Sequence, residues 1–146
     1  MIYTDSGKYA IRAMTYIASC DDVDLPTSAA DVAAAENIPP FYMAKVLQDL
    51  GRAGILKSLR GRGGGFTLAR PAKQIPVMDV LDAVEDTHRI THDCVLGLDE
   101  CNDTVSCPLH RTWKRFRESL LKRLNDMSVA DLVIELKRKR RYLENM

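Results

Sequence analysis

Apolar side chains recur along the first third of the chain at the three- and four-residue steps of an amphipathic helix. Ala10, Ala13, Met14 and Ile17 form the first such stripe, and Ser6 is placed to cap it by accepting a backbone N–H. Asp21, Asp22 and Pro26 end it. A second short helix is predicted to start near Ser28, with Asp31 three residues on as a carboxylate form of the capping box. Its inward side is Ala29, Val32 and Ala33, small enough for close helix approach. Asn37-Ile38-Pro39-Pro40 breaks the chain and opens a third helix, since proline is preset for a helical first turn. Met43, Val46, Leu47 and Leu50 point inward there, and Gly54 supplies the stop.

The period then changes. Ile55–Leu59 and Phe66–Ala69 read as short strands around Arg60-Gly61-Arg62-Gly63-Gly64-Gly65, which must turn. Three short helices followed by a basic-tipped hairpin is the order of a winged helix-turn-helix. A fourth helix is expected from about Val77 to Asp86, with Val80, Leu81 and Val84 inward. Residues 87–107 show no periodicity. Pro108 is read as opening a long helix whose seam is Leu109, Trp113, Phe116, Leu120 and Leu124, suited to packing against a second helix. Ser128 and Asp131 signal one more helix start. The expected architecture is mainly α with a small β-hairpin: a winged helix-turn-helix over 1–73, a connecting helix and cysteine loop over 74–107, and a dimerisation helix plus C-terminal helix over 108–146. Within the first unit the helix-turn-helix spans about 28–51 and the wing 55–69.

A net charge of +1 hides strong segregation. Residues 41–73 hold seven Lys/Arg against Asp49 alone, residues 77–110 hold eight acids against Arg89 alone, and residues 111–146 hold eleven Lys/Arg against five acids. A charged run is ordinarily a solvated face, and that reading is kept for 111–146. The first basic block differs because it coincides with the third helix and the wing. An α-helix fits the major groove of B-DNA, and the outer face of this one offers Phe41, Tyr42, Ala44, Lys45 and Gln48. Glutamine pairs with adenine, lysine reaches guanine or phosphate, and aromatics touch thymine methyls. Arg60 and Arg62, on the side-chain-free backbone around Gly64, suit phosphates or a narrow minor groove. Double-stranded DNA is therefore the expected partner. A nucleotide-binding phosphate loop is discarded, because no Lys-Ser/Thr follows the glycines and a strand, not a helix, comes next.

Cys94, Cys101, Cys107 and His110 place four soft or borderline ligands within a short span, the donor types of iron–sulfur clusters and zinc. Cys107 is expected at a helix N-cap, where amide N–H groups favour a thiolate. Bare redox-reactive thiols and a regulatory disulfide remain open readings. Structural zinc fits less well, since its cysteine pairs are usually two to four residues apart. His88 and His92 are read as solvated, and Cys20 as a packed thiol. A thiol- or metal-dependent enzyme built on Cys107 and His110, and a scaffold dimerising through 108–143, are the readings from other classes. No small-molecule substrate is suggested for either. No apolar run reaches 18 residues and Met1–Asp5 lacks a signal-peptide pattern, so a cytoplasmic protein without a membrane span is expected.

Taken in order, these pieces resemble the Rrf-two family of bacterial transcription regulators, in its IscR/NsrR-like form. The resemblance runs through Tyr3–Met14, Val46–Leu56, the wing Arg60–Phe66, the three-cysteine loop, His110 and Trp113. It implies a homodimer binding a near-palindromic operator, as a repressor, with the helix after Pro108 crossing its partner. It also implies that Cys94, Cys101 and Cys107 hold an iron–sulfur cluster. His110 matches the histidine three positions after the last cysteine in IscR-like members, which favours [2Fe–2S]. The gap between Cys94 and Cys101 is one residue longer than the IscR-type spacing. Lys8 stands where NsrR-like members supply an acidic ligand. Members without a cluster use the cysteines as a thiol sensor, and that form is the alternative, together with a zinc-bound interaction protein.

Overall fold

The computed structural model describes residues 3–146, so Met1 and Ile2 in the N-terminal reading lie outside the described residues. Seven helices and one two-stranded antiparallel hairpin make up the described chain. Helices α1 (Asp5–Ala18), α2 (Ala29–Glu36) and α3 (Pro40–Arg52) pack around one apolar centre. Ala10, Met14, Val32, Met43, Leu47 and Leu50 are fully enclosed there, joined by Ile55, Ile75, Val80 and Val129 from later elements. Burying such side chains is worth roughly 1.5–3 kcal/mol each, so this centre supplies most of the driving force for folding.

Ser28 caps α2 as its sequence predicts, accepting from the Asp31 N–H at 3.1 Å. Asn37 closes α2 in the left-handed region at φ 52°, and Pro39-Pro40 starts α3 immediately after. The first helix departs from expectation. Its cap is Thr4, not Ser6: the Thr4 side chain accepts from the Gly7 N–H, and the Thr4 N–H donates to Glu85 Oε2 at 3.0 Å. A carboxylate from much later in the chain therefore selects the earlier hydroxyl. Glu85 also lies flat against Gly7, where a Cβ would overlap its Oε1.

Strands β1 (Leu56–Leu59) and β2 (Gly65–Leu68) pair with Leu56 opposite Leu68 and Leu59 opposite Gly65. The hairpin is tied to the helices through an isolated bridge between Thr27 and Phe66. Gly65, at φ 148°, sits where a Cβ would overlap the Thr27 carbonyl, so glycine is what lets the hairpin lie against the start of α2.

Helix α4 (Val77–Val84) ends two residues before the expected Asp86. Asp86 instead accepts from the His88 N–H at 3.0 Å and starts a single-turn helix α5 (His88–Thr91), inside the segment read as lacking structure. The long helix α6 spans His110–Asp126 rather than opening at Pro108. Residues before it form a turn in which the His110 N–H donates to the Cys107 carbonyl at 3.0 Å. Helix α7 (Val129–Glu144) begins with the full Ser128–Asp131 capping box and turns back onto α1. Leu120 and Leu124 of the α6 seam join Val77, Met78 and Leu81 in a second apolar cluster. The other end of that seam faces outward at Leu109 and Phe116. No helix among the described residues is long and apolar enough to cross a membrane.

Candidate DNA interface and cysteine site

The inward stripe of α3 leaves its other face free. Phe41, Tyr42, Lys45 and Gln48 are all exposed, and Phe41 and Tyr42 meet edge to face at 5.8 Å. Phe41 is 78% exposed, an unusual state for a phenyl ring that has a core beside it. The hairpin tip carries Arg60 and Arg62 into solvent. Its turn needs glycine at two kinds of position. Gly61 and Gly63 adopt φ of 92° and 74°, and at Gly64 a Cβ would overlap the Leu59 carbonyl. The exposed face of α3 and the two wing arginines thus belong to one unit, held by the Thr27–Phe66 bridge. This is a winged helix-turn-helix, the architecture of a DNA-binding protein.

The cysteine loop is organised around α6. Trp113 Nε1 donates to the Asp93 carbonyl at 3.1 Å, and the Cys101 N–H donates to the His92 carbonyl at 2.8 Å. Between these ties the chain reverses through Gly97 and Asp99, both at positive φ, and Asp93 bridges to Glu100. Cys94, Cys101, Cys107 and His110 line one recess of about 260 Å³. Cys101 Sγ lies 3.0 Å from His110 Nδ1, and Cys94 and Cys107 face the same recess. Among the described residues no three of these donors close around a single ion.

The proposed N-cap role of Cys107 does not survive, because α6 starts three residues later; the helix-dipole argument for its thiolate falls with it. The thiol whose pKa is lowered is Cys94. The Leu96 backbone N–H is the largest cause, opposed by burial and assisted by the Leu98 N–H and Cys107.

Asp103 was not singled out in the sequence, yet it orients the histidine. Its Oδ1 lies 2.7 Å from His110 Nε2, and Lys114 Nζ reaches both of its oxygens. Lys114 and then His110 hold the Asp103 carboxyl down at about 2. A carboxylate only accepts, so Nε2 carries a proton toward Asp103 and Nδ1 is the nitrogen turned to Cys101. The usable signal was the four-residue step from His110 to Lys114, which puts both on one face of α6. His88 and His92 are exposed and stacked at 4.4 Å, with His88 near Asp93 and Glu100. Cys20 is half-buried and hydrogen-bonds the Tyr16 carbonyl.

Comparison with known proteins agrees with this architecture. The family model described as Rrf2, iron-dependent transcriptional regulator, matches residues 3–135. A Haemophilus influenzae protein named an HTH-type transcriptional regulator is 33% identical over 133 residues, covering 91% of this chain and 87% of its own. Among solved structures, CymR (YrzC), the global cysteine regulator of B. subtilis, superposes with a TM-score of 0.76 at 23% identity, over 90% of this chain and 95% of its own. T. potens IscR gives 0.71 at 22% identity, over 91% and 86%. These two likenesses establish the fold. The chain belongs to the Rrf2 family and is a DNA-binding transcriptional regulator, not an enzyme.

Proposed function

We propose that this protein is a cytoplasmic homodimeric repressor that binds a near-palindromic operator, with affinity set by the state of its cysteine site. The observation that carries the reading is the convergence of three thiols and one oriented imidazole on a single recess beside α6. In each protomer α3 reads bases through Phe41, Tyr42, Lys45 and Gln48 while Arg60, Arg62 and the turn at Gly64 meet the flanking backbone. The open end of the α6 seam, Leu109 and Phe116, supports pairing with a second α6. Two such units match a duplex only when they are spaced about 34 Å apart, one helical turn.

The donor set fits an iron–sulfur cluster. Three thiolates and one imidazole supply the four protein ligands of a two-iron cluster, in which each iron takes two. Cys94, Cys101, Cys107 and His110 Nδ1 would hold it, and Asp103 on Nε2 would fix the ring and its tautomer. When bound, such a cluster supplies an oxidisable, ligand-sensitive group. The chain's own part is mechanical. Cys94 and Cys101 lie on the loop, whereas His110 lies on α6, so joining them restrains the loop against the dimer helix. Releasing them shifts the population of the operator-competent spacing.

Protein purified without oxygen is expected to be coloured and to contain iron, and Cys107→Ser to be colourless. Operator affinity is then compared before and after iron removal; equal affinities would defeat the switch. A second reading is favoured by the lowered Cys94 thiol, which lines the same recess as Cys107: the same loop acting as a cluster-free thiol sensor. Colourless, iron-free protein whose DNA affinity responds to mild oxidant would select it, and stoichiometric zinc would select the zinc-bound form.

A further inference from the structure

Helix α7 ends in five consecutive cations, Lys137 to Arg141, all exposed. Such a run is usually only a solvated face. One contact sets this one apart. Arg140 Nη2 lies 3.0 Å from both carboxylate oxygens of Glu36, the last residue of α2. The Glu36 side chain is only 1% exposed and also holds Arg12, through Nε at 3.0 Å. A buried carboxylate needs such partners, and with two guanidinium groups the cluster keeps a net positive charge. The end of α7 is therefore pinned to the end of α2, four residues before α3 begins.

The other end of α2 is where Thr27 bridges to the wing strand at Phe66. An 8-residue helix is about 12 Å long. The wing and the α7 run thus flank the helix-turn-helix from opposite ends of α2. Lys137, Arg138 and Arg141 are spaced to share one stripe of α7. Among the described residues neither Lys137 nor Arg141 has an acid within 4 Å, and Arg138 has only Glu135 at 3.8 Å.

We infer that the stripe Lys137, Arg138 and Arg141 is a further DNA contact, gripping phosphates outside the segment read by α3 at the end of α2 away from the wing. It rests on α3 and the wing facing the duplex. Contacts of this kind add affinity and salt dependence without sequence preference.

The test is a salt series of anisotropy titrations with the full chain and random-sequence 40-base-pair duplexes. The triple variant K137A/R138A/R141A is expected to flatten the slope of log K against log salt by about 2 to 3 per protomer. All three side chains are exposed and alanine favours helix, so the fold is retained. K137Q/R138Q/R141Q must give the same flattening. Arg62→Ala is run alongside. A flattened slope for Arg62→Ala with an unchanged triple variant overturns the inference and leaves the wing reading intact. Unchanged slopes for both overturn the reading beneath it. Loss of binding to phosphatidylglycerol vesicles with an unchanged DNA slope also overturns it, assigning the stripe to an anionic membrane surface.

Discussion

The three-helix unit and the cysteine loop are built on opposite principles. In the first, side chains such as Met14, Met43, Leu47 and Leu50 are wholly enclosed, and the outer residues are free to vary chemically. In the second, only Ile90 and Cys94 are buried, while Val95, Leu96, Leu98 and Val105 face solvent. The loop keeps its shape through backbone bonds, two left-handed residues and the Asp103–His110 pair. A region formed by buried area resists perturbation and presents a fixed outer surface. One formed by a few polar ties opens locally at little cost, which is what a responsive element requires.

That contrast can be broken most forcefully at Leu47. Leu47→Ala is expected to cost about 2–5 kcal/mol of stability in denaturant melts, whereas Val105→Ser should stay within about 0.5 kcal/mol. Comparable losses would mean the two regions are not different in kind. Gly65→Ala comes next, with strain on the order of 1–3 kcal/mol, because the new Cβ meets the Thr27 carbonyl. Its larger consequence is a displaced wing, read as weakened binding to every duplex. Lys45→Ala and Gln48→Ala should each leave the melt unchanged and cost about 1–3 kcal/mol at individual bases, measured by operator scanning. The smallest effect is with acid. The Ser128 backbone N–H and then its hydroxyl lower the Asp131 pKa. Because the folded value is depressed, the stabilisation is present above the ordinary carboxylate range and disappears as pH falls through the folded value. Fraying of α7, followed by amide exchange near Val129, should appear there and be absent in Asp131→Asn.

Most outcomes decided by a neighbour within four residues were readable in the sequence. Ser28, the Pro39-Pro40 pair, the glycine hairpin and Ser128 each act within their own turn, and the helices and strands they imply are present. Pro108 misled because proline also suits a turn, and here the chain makes one between Cys107 and His110 before the helix starts. Thr4 displaced Ser6 for a reason no local window contains, namely Glu85. Asp103, too, is an ordinary loop acid until α6 brings His110 and Lys114 beside it. The exposed face of α3 and the cysteine recess were both visible as patterns, but the polar partners that orient His110 and pin α7 required the tertiary fold.

Glu85 and Gly7 carry a consequence for how this chain can change over generations. A side chain at the glycine would have to displace the end of the glutamate, and with it the carboxylate bonded to the Thr4 amide. The coupling runs in one direction, from the glycine to the glutamate, across a long stretch of chain. A relative bearing a side chain at the glycine should therefore carry a shortened or redirected residue in place of the glutamate, whereas one that has lost the glutamate can keep the glycine.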